Sequence, residues 1–213
     1  MKNLSDPETA AKIKKEMEEK PYYASYDEMF FPLLKNPETS GKFLTEIADV
    51  LQKDPIDALF SIIIDEGGSS LMVEFTMYEE DIRSALRYPE SVVGSDNFAI
   101  PRGMQSNHPR HVCCFPYMIE KYVRKEKLVS LPEMVSKMTG KTAKIFGIPD
   151  RGLIKEGYWA DIVIFDYDKM RSNMDYKKPD AKPTGISKVI VNGVIAYEEG
   201  EATETRPGRV IEP

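Results

Sequence analysis

Leu71-Met72-Val73-Glu74-Phe75-Thr76-Met77, then Glu79 to Arg87, then Ser91-Val92-Val93-Gly94-Ser95-Asp96: this stretch decides the fold. Two short apolar runs flank a segment of helical character, with brief links between them. Strand, helix and strand in that order call for parallel pairing and a right-handed crossover. The second run ends on a lone carboxylate, Asp96, and a polar loop containing His108-Pro109-Arg110 follows. Buried strands of α/β barrels present catalytic groups in this way, at their C-terminal ends. An arginine soon afterwards can hold an anionic substrate through a bidentate pair. By residue type alone, the commoner meaning of Gly-Ser-Asp is a surface aspartate that caps the next loop.

Upstream of this unit, Ser5-Asp6-Pro7-Glu8 opens a helix that runs to about Lys20, with a cap residue, proline in the first turn and acids near the positive end. Residues 21–39 read as irregular, punctuated by Pro21, Pro32 and Pro37 and rich in aromatics. Two helices follow, over roughly 43–53 and 55–66, the second begun by Asp54-Pro55 and ended by Gly67-Gly68. Downstream, helical stretches are expected at 115–127 and 130–146, the latter with the capping box Ser130-x-x-Glu133. The pattern changes near 147–157. Ala160 to Asp166 reads as a strand, and 186–191 and 194–197 form a hairpin around Asn192-Gly193, the strongest short hairpin signal. The expected organisation is a mixed helix-and-strand segment over 1–147 and a small β unit over 148–213.

Composition narrows the class. The 213 residues carry a net charge of −6 and no basic stripe, which argues against nucleic acid as a partner. No apolar stretch approaches the roughly 18 residues that span a bilayer. The N-terminus has no secretory apolar region. Cys113 and Cys114 are adjacent, which disfavours a mutual structural disulfide on geometric grounds. A cytoplasmic protein is expected. Only two parallel strands are visible, and two strands can neither close a barrel nor bury both faces of a sheet. Further strands are expected from another segment or subunit.

Leu71 to Asp96, the His108-Pro109-Arg110 loop, the capped helix Ser130 to Lys144, the run Asp150 to Val163 and the closing Arg206-Pro207-Gly208-Arg209-Val210 together resemble the C-terminal half of D-aminoacylases. These are the N-acyl-D-amino-acid deacylases of the amidohydrolase superfamily. The run from Gly152 to Val163 is shared across that superfamily; the Gly-Ser-Asp strand with His-Pro-Arg is narrower. The resemblance implies an α/β fold: the C-terminal part of a (β/α)8 amidohydrolase barrel plus strands of a small β-sandwich built from both chain termini. It implies a metal-dependent hydrolase that acts on N-acyl-D-amino acids. Asp96 would be the general acid/base, which takes a proton from metal-bound water and passes it to the leaving nitrogen, and it is also a candidate metal ligand. Arg110, with His108, would bind the substrate carboxylate. Zinc, which lowers the pKa of its bound water to about 7, would be held mainly by residues missing from this chain. Residues 20–66 would be the insertion that folds over the barrel mouth. Asn97 stands where glycine is usual, the stretch from Asp96 to His108 is long, and His111-Val112 replaces an aromatic-glycine pair.

The plain readings stand beside these. Arg110 can be a solvated arginine whose surface pair is worth under about 1 kcal/mol. His108 and His111 have a spacing that hints at metal, but Pro109 interrupts a regular helical turn there and two imidazoles make a poor zinc site. The cysteines read as small buried hydrophobes. Tyr158 and Trp159 read as packing for the β unit, and the aromatics of 22–31 as a packed lid. The expected chain is inactive alone and pairs with an N-terminal half-protein or another copy. The alternatives are a non-catalytic fragment and a cyclic amide hydrolase of the hydantoinase or dihydroorotase type.

Overall fold

The computed structural model describes residues 2–97, 100 and 106–211 and packs them as two units. The first runs to Met77 and takes in the stretch that ends at His108; the second begins at Tyr78 and resumes at Pro109.

In the first unit a short helix α1 (Lys2–Ser5) precedes α2 (Pro7–Glu19), whose N-cap Asp6 accepts from the Thr9 N–H at 2.9 Å with Pro7 beside it. No residue of α2 is fully buried. It is tied down instead by Lys14, whose Nζ lies 3.0 Å from Asp54 and 2.7 Å from Asp57. Both carboxylates sit at the N-terminus of α4 (Pro55–Asp65), where the helix dipole also favours them. With α3 (Leu44–Leu51), α4 forms a helical hairpin. Their apolar faces build a core of Leu44, Ile47, Ala48, Ala58 and Ile62 against Met29 and Phe31.

Those last two residues correct the reading of 21–39 as irregular. Met29–Phe31 is strand β1, the centre of a three-stranded antiparallel sheet with β2 (Lys42–Phe43) and β3 (Val73–Glu74). All three β1 residues are buried, so both strand faces are covered. The run 71–77 is also corrected. It contributes only Val73–Glu74 to a ladder, and that ladder is antiparallel, pairing Val73 with Phe30. No parallel ladder forms among the described residues, because Ser91–Asn97 finds no neighbouring strand to bond to.

The second unit opens with α5 (Glu79–Arg87), which has three acids in its first turn and Arg87 in its last. Its core gathers Leu86, Val93, Ile119, Tyr122, Val123, Met134 and Met170. Helix α6 spans Arg110–Met118 and continues as a π-helical stretch, Ile119–Lys125. The helix therefore starts earlier than expected. Pro109 stands at the entry of α6 and His108 lies outside the helix: the proline's fixed φ of −65° suits a helix entry, and its carbonyl accepts the Cys113 N–H at 3.1 Å. Helices α7 (Leu131–Met138) and α8 (Gly140–Ile145) follow, divided at Thr139.

Strands β4 (Ile162–Phe165), β5 (Ile186–Val191), β6 (Val194–Glu198) and β7 (Glu201–Ala202) form an antiparallel meander. The β5–β6 turn is Asn192-Gly193, both at positive φ, as read from the sequence. The connection between β4 and β5 is anchored on the π-helical stretch. Glu120 accepts from the Ser172 N–H at 2.7 Å and its hydroxyl at 2.8 Å, and Arg124 donates to the carbonyls of Tyr167 and Met170. Residues 109–147 and 148–211 thus pack in one unit, and the change of pattern near 147–157 is a change of secondary structure within it.

Candidate functional site

In the segment Ser91–Asn97, Val93 is buried in the core, Gly94 and Asp96 are exposed and Ser95 between them is half-buried. Asp96 sits in the left-handed region at φ 47°, a conformation that aspartate tolerates better than most residues and that recurs at functional positions. Its carboxylate accepts from Arg110 Nη1 at 2.9 Å. The Asp96 side chain is 90 % exposed and that of Arg110 36 %. The two residues singled out in the sequence, fourteen positions apart, are thus brought into contact. Arg110 owes its place to α6, whose first turn it occupies. There the free N–H groups of the helix end add to its positive field.

The next pair along is held in the same way. Asn97 Nδ2 lies 2.9 Å from His111 Nδ1. An amide N–H can only donate, so the ring nitrogen is the acceptor of this bond. Cys114 Sγ approaches the Gly94 carbonyl at 3.8 Å. Arg110, His111 and Cys114, on α6, therefore contact Asp96, Asn97 and Gly94. Asn97 and His111, the positions where the chain departs from the pattern it resembles, are partners of each other.

His108 is not part of this constellation. It groups with the first unit, where the Ser106 hydroxyl donates to its carbonyl at 2.9 Å. Residues 98, 99 and 101–105 of the expected loop lie outside the described residues. Cys113 is buried and its thiol lies 2.8 Å from the Pro109 carbonyl; burial pushes its pKa up to about 11, which makes it a poor nucleophile. Cys114 is only half-buried, so the expectation of burial holds for one cysteine of the pair. Trp159 stacks between the guanidinium groups of Arg151 and Arg209 at 5.1 and 4.8 Å from its ring centre.

One residue escaped the sequence reading. Lys137 of α7 is completely buried, and its ammonium donates to the carbonyl of Tyr88 at 2.6 Å and the hydroxyl of Ser91 at 2.9 Å. Burial lowers its pKa, with Lys141 adding to the effect. Its own carbonyl accepts the Val93 N–H at 3.2 Å.

Among the described residues, no group of three or more His, Cys, Asp or Glu side chains is placed to hold a metal ion. Among the described residues, the side chains do not by themselves fit zinc: Asp96 can supply one oxygen and belongs to no cluster of three or more such groups. Nor is any described helix long and apolar enough to cross a membrane.

The profile of the amidohydrolase family matches residues 50–197, a span that holds Asp96, Arg110 and Lys137 alike. The chain belongs to the amidohydrolase family. It is similar to the N-acyl-D-glutamate deacylase of Alcaligenes xylosoxydans xylosoxydans, with 32 % identity over 176 residues, which are 83 % of this chain and 34 % of that one. Among solved structures it resembles a D-aminoacylase at 32 % identity and a TM-score of 0.73, covering 87 % of this chain and 38 % of the other. The N-acyl-D-glutamate deacylase of Bordetella bronchiseptica, solved with zinc and a phosphonate that mimics the tetrahedral intermediate, matches at 29 % identity and a TM-score of 0.72, covering 96 % and 45 %. The chain spans about a third of the length of the curated relative it matches. These likenesses place the chain in an amidohydrolase fold of mixed helices and sheets.

Proposed function

We propose that this chain is the C-terminal portion of a zinc-dependent amidohydrolase that hydrolyses N-acyl-D-amino acids to a D-amino acid and a carboxylate. The observation that carries the reading is the Asp96–Arg110 pair: an exposed carboxylate on a strained backbone, 2.9 Å from a guanidinium at a helix N-terminus.

Asp96 is the general acid/base. It accepts a proton as water attacks the acyl carbon and returns it to the nitrogen as the C–N bond breaks, so its carboxylate is restored at the end of each cycle. Arg110 binds the carboxylate of the substrate. Its present bond to Asp96 is exposed, and an exposed pair is worth about 1 kcal/mol or less. A substrate carboxylate can therefore take over the guanidinium at small cost, which frees Asp96 to receive a proton. His108, two residues before Arg110 in the sequence, is assigned to the same substrate carboxylate. The metal ligands belong mainly to residues outside these 213, and the chain works with a companion N-terminal portion.

The test has two arms. The chain alone, with zinc added, hydrolyses no N-acetyl-D-amino acid. Joined behind the upstream part of the Alcaligenes N-acyl-D-glutamate deacylase, it gives an enzyme whose turnover falls by about 10²–10⁴ on Asp96→Asn. Turnover by the chain alone, or an Asp96→Asn chimera as fast as its parent, refutes the proposal.

A further inference from the structure

Among the described residues of the second unit, the most deeply buried charge belongs to Lys137, and it is spent on one short segment. Its ammonium reaches the Tyr88 carbonyl at 2.6 Å, the Ser91 hydroxyl at 2.9 Å and, more loosely, the carbonyls of Ser91 and Pro89 at 3.3 and 3.4 Å. Tyr88 is the C-cap of α5, so a cation there meets carbonyls at the negative end of the helix dipole. The charged groups that act on it are Lys141, which opposes its charge, Glu133, 3.9 Å away on the same helix, and Glu90. Burying an ammonium is costly unless it is fully hydrogen-bonded, and here carbonyl dipoles rather than a carboxylate supply the bonds.

The backbone of the same residue holds the next part of the segment, since the Lys137 carbonyl accepts from Val93 at 3.2 Å. A single position on α7 therefore fixes Tyr88 to Val93 from two sides. Beyond Val93 only Gly94 and Ser95 separate the clamp from Asp96. Without ladder bonds among the described residues, this clamp, the α6 contacts and the burial of Val93 hold the segment.

We propose that Lys137 is a positioning residue for Asp96, setting the place of the carboxylate by clamping the segment that carries it. The inference rests on the role of Asp96 given above, but its test does not. Amide hydrogen exchange and the Asp96 side-chain carbon signal are followed by NMR in the 213-residue chain. In Lys137→Met, amides from Val92 to Asp96 exchange about tenfold faster or more relative to those of α6 and the β5–β6 hairpin. The Asp96 carboxyl signal shifts or broadens as its bond to Arg110 is lost. Lys141→Met, which removes an exposed donor to the Pro89 carbonyl, changes neither. If Lys137→Met does not fold, Ser91→Ala removes one acceptor and leaves the ammonium in place; it must raise exchange of the same amides by a smaller factor. In the chimeric enzyme, Lys137→Met lowers kcat and leaves KM unchanged. Unaltered exchange and an unmoved Asp96 signal in both variants overturn the inference while leaving the role of Asp96 standing. Full activity of Asp96→Asn does the reverse.

Discussion

Glu120 offers the sharpest quantitative test of how the second unit is held together. Its side chain is 9 % exposed and takes three donors: the Ser172 N–H at 2.7 Å, the Ser172 hydroxyl at 2.8 Å and Lys125 Nζ at 2.9 Å. Burial alone would push its pKa up. The Ser172 N–H and hydroxyl and the Lys125 ammonium together outweigh burial and pull it down from 4.5 to about 2. A depression of that size means about 3 kcal/mol in favour of the charged, folded form. Replacing Glu120 by Gln keeps the shape, yet whichever way the amide turns, its NH2 group faces a donor. The expected loss at pH 7 is therefore about 2–3 kcal/mol. The depressed pKa fixes the sign with pH. The stabilisation is fully present above the unfolded-state value near 4.5 and is lost as pH falls through the folded value near 2. The gap between parent and Glu120→Gln should thus shrink to under about 1 kcal/mol near pH 2.5. Urea unfolding followed by the fluorescence of Trp159, the only tryptophan and a member of the same unit, reads the gap directly. A gap of the same size at pH 7 and pH 2.5 would show that the carboxylate charge is not what holds Ser172.

Gly185 lies at φ 80°, and a Cβ there would stand 2.6 Å from both N and Cα of buried Met170. Gly185→Ala should cost about 3 kcal/mol or more, measured by the same Trp159 unfolding; a loss under 1 kcal/mol would mean the β4–β5 connection yields easily. In the first unit, Asp54 caps α4 by accepting from the Ile56 N–H at 2.9 Å and also pairs with Lys14. Asp54→Ala should destabilise that unit by about 1 kcal/mol and speed exchange of the first α4 amides, whereas Asp54→Asn keeps the cap and most of the stability. Equal losses in the two variants would assign the effect to the charge instead.

How far the fold could be read depended on whether a signal was local. The caps at Asp6, Asp54 and Ser130 and the Asn192-Gly193 hairpin use residue types that act within a few positions of themselves, and all four are in place. Met29–Phe31 was missed because a three-residue strand buried on both faces shows no alternation. The turn before β7 was missed for a related reason: its left-handed position is filled by Glu199 ahead of Gly200, and glutamate gives no sign of a positive φ. Ser91–Asp96 carries the composition of a buried strand, but a strand is defined by its neighbours, and composition is silent on whether those neighbours are in the chain. The start of α6 at Arg110 was missed because proline stops a helix from within and starts one from outside; the difference lies in where the helix begins, which the polar residues around Pro109 leave undecided.

The same distinction separates the two halves of the candidate site. Asp96 and Arg110 are charged residues beside a strand-like run and a loop, and their chemistry is visible in the letters. Lys137 is not. It falls three residues after Met134, on the buried face of α7, where the ordinary expectation is a lysine that lays its stem along the core and lifts its head into water. That expectation fails only because backbone carbonyls converge on the head group. Every residue owns a carbonyl, so an acceptor set built from Tyr88, Pro89 and Ser91 has no signature in residue identity; it exists only once α5 has ended beside α7. A lysine on an apolar helical face is therefore worth pursuing wherever a neighbouring helix terminates, since the carbonyls at that end are neutral partners able to help keep its charge inside.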